Sequence, residues 1–500
     1  MALNELVIAL RPELEPLQAS AARDRWQRVR DGSPAAPGPL GTSPFARESV
    51  FHAFREARES ASERAAPRLR RVQELASRAL TERLGAEAEA AWFRVEREAR
   101  LEAGLGGHSL PVARWMARRS PDRERREALE QGIAQLEADL ATPSQRRYEA
   151  SFRAAELLGA RDPLALWDEV TGIDHGAWAL EGERFDASTR EGYLDLLRFA
   201  LERSGPRMRP LPRGDAATHD VLYAARIPWL DALLTRESLL PALQRWTDEL
   251  FDGWTAQGRI RILLDEGPAH APPDAVGLAI PGEIRLAVRR EGGITGWRAL
   301  LGAVGQAQGL SMIDPHAPPE DRWLGDGAVR ALPGLLIQTL LLEPGWLMRY
   351  VRLTANQARE VVRFAAFSAL AQTRERIARF DLERYGFRGA SRQQLESFWS
   401  ERMAQALLGR EPGTRAFAHL SPFLPSVHPL RGWGLVGSLH PRLLSSFDED
   451  WWRNPAAGRF LRNVFTRGGR DQAELLAAEW GTSTLALDGW QTRLLRCMSA

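Results

Sequence analysis

Hydrophobic residues recur every three to four positions, between charged ones, over most of the first half of the chain. The repeat is clearest in residues 48–80, 122–141 and 190–205. Spacing of this kind places apolar side chains on one face of an α-helix and charged side chains on the opposite face. From about residue 45 to residue 255, the sequence therefore predicts helices almost throughout.

The pattern changes between residues 258 and 290. Three short apolar runs, at 259–267, 275–280 and 282–293, have the length of β-strands, and the last one alternates as a half-buried strand does. Residues 294–310 then return to helical spacing, with apolar side chains three, four and seven positions after Trp297. A small sheet thus interrupts a helical chain, and a helix follows it directly.

The order of these elements predicts a mainly α-helical fold with a small three-stranded sheet at 258–290. We expect an N-terminal arm and flexible linker at 1–45, a helical N-terminal lobe at 46–257 and a second lobe at 258–500. Residues 30–44 form the linker because they are rich in Pro, Gly and Ser. With 500 residues, 44% of them hydrophobic, the chain is long enough to bury a large core.

Charge and cysteine content narrow the choice of partners and location. Basic and acidic residues number 67 and 65, and every basic residue is arginine, so neither nucleic acid nor a membrane is an expected partner. The single cysteine, Cys497, excludes an intrachain disulfide and a Cys-rich metal site. The N-terminal stretch lacks the basic lead and long apolar run of a secretion signal, so we expect a cytoplasmic location.

A strand that runs into a helix, inside a mostly helical body, is where zinc peptidases carry the motif His-Glu-x-x-His. Two histidines four residues apart hold one metal ion, and the glutamate acts as general base. Residues 280–310, 323–347 and 449–465 resemble gluzincin-type zinc metallopeptidases, the group of thimet oligopeptidase, oligoendopeptidase F and angiotensin-converting enzyme. The resemblance implies a two-lobed helical body around a deep central cleft, with the sheet on one cleft wall.

The resemblance also implies which residues stand at the catalytic positions. It places Gly302 at the first histidine, Ala303 at the general base, Gln306 at the second histidine and Ala331 at the later glutamate ligand. Glycine and alanine have no donor atom, and a neutral carboxamide is a poor zinc ligand. We therefore predict no bound zinc, no other cofactor and no metal-dependent hydrolysis. The tyrosines that this group uses as oxyanion donors are also missing after Tyr385.

Other candidate chemistry is sparse. The nine histidines include no pair three or four residues apart, and His428 and His440 are the imidazole donors left in the C-terminal third. Acidic clusters at Glu320, Asp321 and Asp326 and at 448–450 are more typical of solvated loops than of cation sites. The stretch "GWGLVG" at 432–437 matches a dinucleotide-binding pattern by chance, since no β-type run precedes it.

We predict a degenerate peptidase-like protein, not an enzyme, that binds a peptide or a protein partner such as an active paralogue. An extended peptide would pair with the edge of the 282–288 strand, and the candidate cleft residues are Ile284, Leu286, Val288, His428 and Trp433. Two alternatives stay open: metal-free or weak hydrolase chemistry in the same cleft, and a purely structural helical scaffold. In an ordinary helical protein, Gly302, Gly305 and Gly309 would simply allow two helices to pack closely.

Overall fold

The computed structural model describes residues 2–31, 38–63, 65–205, 209–211, 214–251, 253–265, 267–268 and 270–499. The helices before the sheet are α1 (Ala2–Asp31), α2 (Glu48–Glu59), α3 (Ala66–Leu84), α4 (Ala86–Glu98), α5 (Leu110–Ala117), α6 (Arg123–Ala138), α7 (Ala141–Leu157), α8 (Pro163–Thr171), α9 (His175–Ser204), α10 (Thr218–Ala225) and α11 (Arg236–Leu250). The strands are β1 (Ile260–Leu264), β2 (Asp274–Ala279) and β3 (Glu283–Val288).

The helices after the sheet are α12 (Gly293–Met312), α13 (Pro319–Trp323), α14 (Gly327–Gln338), α15 (Pro344–Trp346), α16 (Ala355–Gly386), α17 (Arg392–Leu407), α18 (Ala416–His419), α19 (Val427–Phe447), α20 (Pro455–Thr466), α21 (Ala473–Glu479) and α22 (Asp488–Ser499). The protein is therefore mainly α-helical with one small sheet, as predicted. The predicted helix at 294–310 is α12, which extends slightly beyond it at both ends.

Local sequence fixes where several of these helices begin. α16 starts with a reciprocal pair in which the Thr354 side chain accepts from the Gln357 backbone and the Gln357 side chain accepts from the Thr354 backbone. Ser391 and Gln394 do the same at the start of α17. Such capping satisfies backbone N–H groups that have no partner inside the helix.

The three strands form one mixed sheet in the order β1-β3-β2. β3 runs parallel to β1, with Ile260 opposite Ile284, and antiparallel to β2, with Asp274 opposite Ala287. The main-chain groups of β3 are therefore hydrogen-bonded on both sides. The free edges of the sheet belong to β1 and β2. α12 packs against β3 and β2.

The predicted N-terminal arm is a helix docked on the rest of the protein. Leu14 of α1 is buried, and Glu15 accepts two hydrogen bonds from Arg322, at 2.8 and 2.9 Å. Arg25 pairs with Asp274 of β2 at 2.7 Å. Of the predicted linker, residues 32–37 lie outside the described residues, whereas 39–42 and 44–46 are short 3-10 helices.

One continuous cluster of buried hydrophobic residues extends from Leu10 to Met498. It includes side chains from both predicted lobes, so the two parts of the chain share a core. The division into lobes at residue 257 stays a prediction. A second, smaller cluster lies at α5 and α6, around Leu110 and Ile133.

Among the described helices, none is by itself long and apolar enough to cross a membrane. Gly327–Leu342 and Pro344–Val351 reach the required length and hydropathy only together, and they bend by 74° where they meet.

Glu383 of α16 is a buried carboxyl group, and we expect it to make stability depend on pH. It accepts hydrogen bonds from the Ser426 hydroxyl at 2.8 Å and from the Ser426 backbone at 3.2 Å. Burial nevertheless raises its pKa from 4.5 to about 8. The unfolded chain therefore loses this proton at lower pH than the folded protein does, and the contribution of Glu383 to the free energy of unfolding falls as pH rises from about 4.5 to about 8.

Chemical denaturation across this pH range tests the expectation. Glu383→Gln should flatten the decline, because a carboxamide does not titrate. Glu401→Gln, on an exposed position of α17, is the control for a simple change of charge. An unchanged slope in Glu383→Gln would contradict the assignment.

Candidate functional site

α12 carries a stripe of glycines that faces α14. Gly302, Gly305 and Gly309 lie three and four residues apart, so they share one face of the helix. Opposite them, α14 presents Pro333 and Gly334, followed by Ile337 and Gln338 one turn later. α12 is almost wholly buried, and its first residue is held by a hydrogen bond from Gly293 N to Leu234 O at 2.8 Å.

The two helices approach each other closely enough to touch through their backbones. A Cβ on Gly305 would lie 2.5 Å from the Pro333 carbonyl oxygen and 2.8 Å from the Ile337 Cβ. A Cβ on Gly334 would lie 2.8 Å from the Gly302 carbonyl oxygen. These distances are shorter than side-chain atoms allow, so the glycines are required for the crossing. The interpretation that such glycines permit close helix packing is therefore confirmed.

The positions that the resemblance assigns to a zinc site lie around this crossing. Gly302 contacts Gly334, and Gln306 and Ala331 lie about one helical turn away along their own helices. Ala331 also borders α19, because a Cβ on Gly432 would be 3.7 Å from the Ala331 Cβ.

The residues present at the crossing do not fit a zinc ion. Gly302, Ala303 and Ala331 have no donor atom, and Gln306 supplies only a neutral carboxamide, whereas zinc in proteins is held by imidazole, thiolate or carboxylate. A side chain at 302 would also have to displace the amide nitrogen of Gln338, which occupies the space where that side chain would begin. No hydrolytic step through a metal can be derived for this arrangement.

Two carboxamides, Gln306 and Gln338, flank the crossing. Gln306 Oε1 is 3.6 Å from the point where a Cβ on Gly334 would lie, and Gln338 borders Gly302. Both side chains are half-buried, and neither hydrogen-bonds to another residue within the described ranges. The sequence pattern points to Gln306 but not to Gln338, which lies one helical turn after Gly334.

A cavity of about 30 Å³ lies beside Gln306. Its wall is mostly apolar and includes Gly309, Val329, Pro333 and Phe465. A volume this small holds about one water molecule, so a larger ligand that contacts Gln306 would lie mostly outside this cavity.

The prediction that a peptide pairs with the edge of the 282–288 strand is wrong. β3 lies in the middle of the sheet, and its main-chain groups already pair with β1 and β2. Ile284, Leu286 and Val288 are buried in the core and do not line an open surface. Strand order depends on contacts between distant segments, which the alternation within one strand does not reveal.

His428 and Trp433 lie on α19, in a different layer from the sheet. Trp433 stacks on Trp490 of α22, with ring centroids 4.1 Å apart, and is buried. His428 packs on Gly327 at the start of α14, and burial lowers its pKa to about 4, so the ring is neutral near pH 7. Because β3 packs on α12 whereas α19 packs on α14 and α22, the five predicted cleft residues do not form one surface.

The acidic residues near α13 and α14 are engaged by arginines. Glu320 binds Arg11, and Asp321 accepts from Arg71 at 2.6 Å. Asp326 receives two hydrogen bonds from Arg431, both at 2.7 Å. These ion pairs join α1, α3 and α19 to this region. The structure thus shows structural ion pairs in place of the solvated loops predicted for these acids.

Comparison with known proteins extends the description of the fold. No family model matches the chain, and no curated protein matches it in sequence. Among solved structures, the crystal structure of putative peptidase from Chlamydophila abortus is similar, with a TM-score of 0.58 at 12% sequence identity. The match covers 90% of this chain and 80% of that chain. This chain has a peptidase-like fold. At 12% identity, the similarity establishes the fold alone.

Proposed function

We propose that this peptidase-like protein binds an extended peptide, or a segment of a protein partner, and does not hydrolyse it. The observation that carries the proposal is the chemistry of the α12–α14 crossing. Hydrogen, methyl and carboxamide groups stand where the resemblance to zinc metallopeptidases would require two imidazoles and two carboxylates. The Gln338 side chain fills the space beside Gly302, so a larger residue there would have to displace it.

The two carboxamides support binding without catalysis. Gln306 and Gln338 each offer one acceptor oxygen and an NH₂ donor, which match the N–H and C=O groups of a peptide backbone. Main-chain hydrogen bonds are how proteins commonly hold an extended peptide. A neutral carboxamide is neither a general base nor a Lewis acid, so it does not activate water.

Hydrolysis and binding are tested separately. We expect the purified chain to cleave no member of a quenched fluorescent peptide library, with or without added zinc. Chelator-sensitive cleavage would overturn the proposed loss of activity. Titration of the same library by fluorescence anisotropy should find bound peptides, and a complete absence of binding would overturn the proposed peptide ligand.

Gln306→Met tests the role of the carboxamide in binding. Methionine has a similar length but cannot replace an amide hydrogen bond, so we expect the affinity for a bound peptide to fall roughly tenfold. The melting temperature should change little, since Gln306 makes no hydrogen bond within the described part of the chain. Gln131→Met, at an exposed position of α6, is the matched control. Equal peptide affinity in both variants would remove Gln306 from the binding site.

A further inference from the structure

A second cavity, of about 390 Å³, lies where α22 packs against α16 and α19. It is separate from the α12–α14 crossing. Its polar lining includes Glu343, His440 and Arg493, and the only cysteine of the sequence, Cys497, also lines it. The volume falls within the range of about 300 to 1,000 Å³ that is typical of small-molecule sites.

The residues that line this cavity include a buried ion pair in which one hydrogen-bond donor has no partner. Glu343 Oε1 accepts a hydrogen bond from Arg493 Nη2 at 2.6 Å and lies 3.1 Å from His440 Nε2. Arg493 is 5% exposed, and its Nη1 has no partner among the residues that the structure describes. A buried guanidinium N–H without an acceptor is costly, and a carboxylate is the acceptor that fits its planar geometry best.

Charges of both signs lie at the rim. Arg496 forms no ion pair or hydrogen bond with another described residue, and the same holds for Glu449. Both are exposed and both line the cavity. Asp450, beside Glu449, is instead paired with Arg453. Burial lowers the pKa of His440, so its ring is neutral near pH 7 and the free positive charge comes from the arginines.

The remaining wall is apolar. Leu342, Val362, Leu444 and Trp452 contribute to it, together with the buried Cys497 side chain. A ligand that fills this cavity is therefore close to an arginine with an unpartnered donor, Arg493, and to a carboxylate at the rim, Glu449. It also contacts an apolar wall.

We infer that this cavity binds a small zwitterion, an α-amino acid with an apolar side chain. Arg493 and Arg496 bind its carboxylate, Glu449 binds its ammonium group, and Val362, Leu444 and Trp452 contact its side chain. A small shift of the Arg493 side chain, whose Nη1 is closed to solvent, lets the carboxylate accept from the Nη1 donors, which no described residue does. This site is independent of the peptide-binding function proposed above.

Calorimetric titration with three related probes tests the inference on the full-length protein. L-Leucine has both charges, N-acetyl-L-leucine lacks the ammonium group, and L-leucinamide lacks the carboxylate. We expect leucine to bind and each of the other two to bind roughly tenfold more weakly. No binding of leucine, or equal binding of all three probes, would overturn the assignment.

Exposed rim variants identify the residues without disturbing the core. Glu449→Gln should weaken leucine binding and leave N-acetyl-L-leucine unaffected, because only leucine carries an ammonium group. Arg496→Ala should weaken both. Unchanged leucine affinity in both variants would place the ligand elsewhere.

Cys497 provides an independent readout, since the chain contains no other thiol. Burial raises its pKa, so alkylation by iodoacetamide is measured at alkaline pH, where more thiolate forms. We expect saturating leucine to slow the alkylation several-fold by filling the cavity, and Cys497→Ser should show no labelling. An alkylation rate that leucine does not change would contradict binding in this cavity.

Discussion

Gly305→Ala is expected to destabilise the protein by about 2 kcal/mol, although alanine is the better helix former. The added methyl group would lie 2.5 Å from the Pro333 carbonyl oxygen, which belongs to the backbone of α14. A side chain could rotate away from this contact, but the main chain of a packed helix cannot. α12 and α14 must therefore separate, and Gly305→Leu should cost more than Gly305→Ala because it forces a larger separation.

Gly192→Ala on α9 is the matched control for this prediction. A Cβ at Gly192 would lie 3.4 Å from Leu495 and 3.5 Å from Met498, which is ordinary contact distance. There the same substitution should raise stability by as much as about 1 kcal/mol through helix propensity alone. Thermal and chemical denaturation of both variants measures the difference. If Gly305→Ala were as stable as Gly192→Ala, the glycine crossing would not hold the two helices together.

For the glycine stripe on α12, the sequence predicts the helix but not the element that packs against its glycines. Helical spacing predicted α12 correctly, and the run of glycines within it was visible at once. Two interpretations of the stripe were open, a lost catalytic face and a close helix contact, because glycine on one face of a helix is compatible with either. The contact partner, α14, becomes known only when the two helices are seen together.

The glycines of "GWGLVG" at 432–437 also serve close helix packing. The stretch lies within α19, where Gly432 packs on α14 and Gly437 packs on α22.

Features that depend on long-range pairing were not predictable from local patterns. The three strands were predicted at the correct positions, but each is a short apolar run, and nothing in their spacing placed β3 in the centre. The docking of α1 was missed for a related reason. Its partners, Arg322 and Asp274, lie more than 200 positions away in the chain, and local periodicity carries no information about such pairs.

Some features of the candidate site follow from residue identity, and others depend on contacts between distant segments. The absence of zinc ligands at Gly302, Ala303, Gln306 and Ala331 was apparent from residue identity alone, because no fold can add donor atoms to glycine or alanine. Gln338 was not predicted, because it belongs to the site only through its contact with Gly302, and the sequence does not show that contact. The cavity at Arg493 was missed as well, because its polar residues come from three separate segments of the chain.

Arg415→Met is expected to destabilise the protein by about 3 to 5 kcal/mol, the range for removing one partner of a buried ion pair. Arg415 is buried against three carboxyl groups: it binds Glu130, and it lies 3.0 Å from Glu137 and 3.4 Å from Glu411. Burial raises the pKa of Glu411 to about 8, so this group is largely protonated near neutral pH. Without the arginine, Glu130 loses its buried positive partner, and Glu137 keeps Arg114, at 2.6 Å, as its one ion-pair partner among the described residues.

This network also joins the two predicted lobes, since Glu130 and Glu137 lie before residue 257 and Arg415 lies after it. Loss of Arg415 should therefore lower the stability of both parts together, as a single shifted transition in thermal unfolding. Arg392→Met provides the matched control, because Arg392 pairs with Glu396 at 2.9 Å on the surface of α17, where such pairs contribute at most about 1 kcal/mol. Equal effects of the two substitutions would mean that the buried network does not stabilise the fold. Two separate transitions in Arg415→Met would instead mean that the lobes unfold independently, with this network as their main connection.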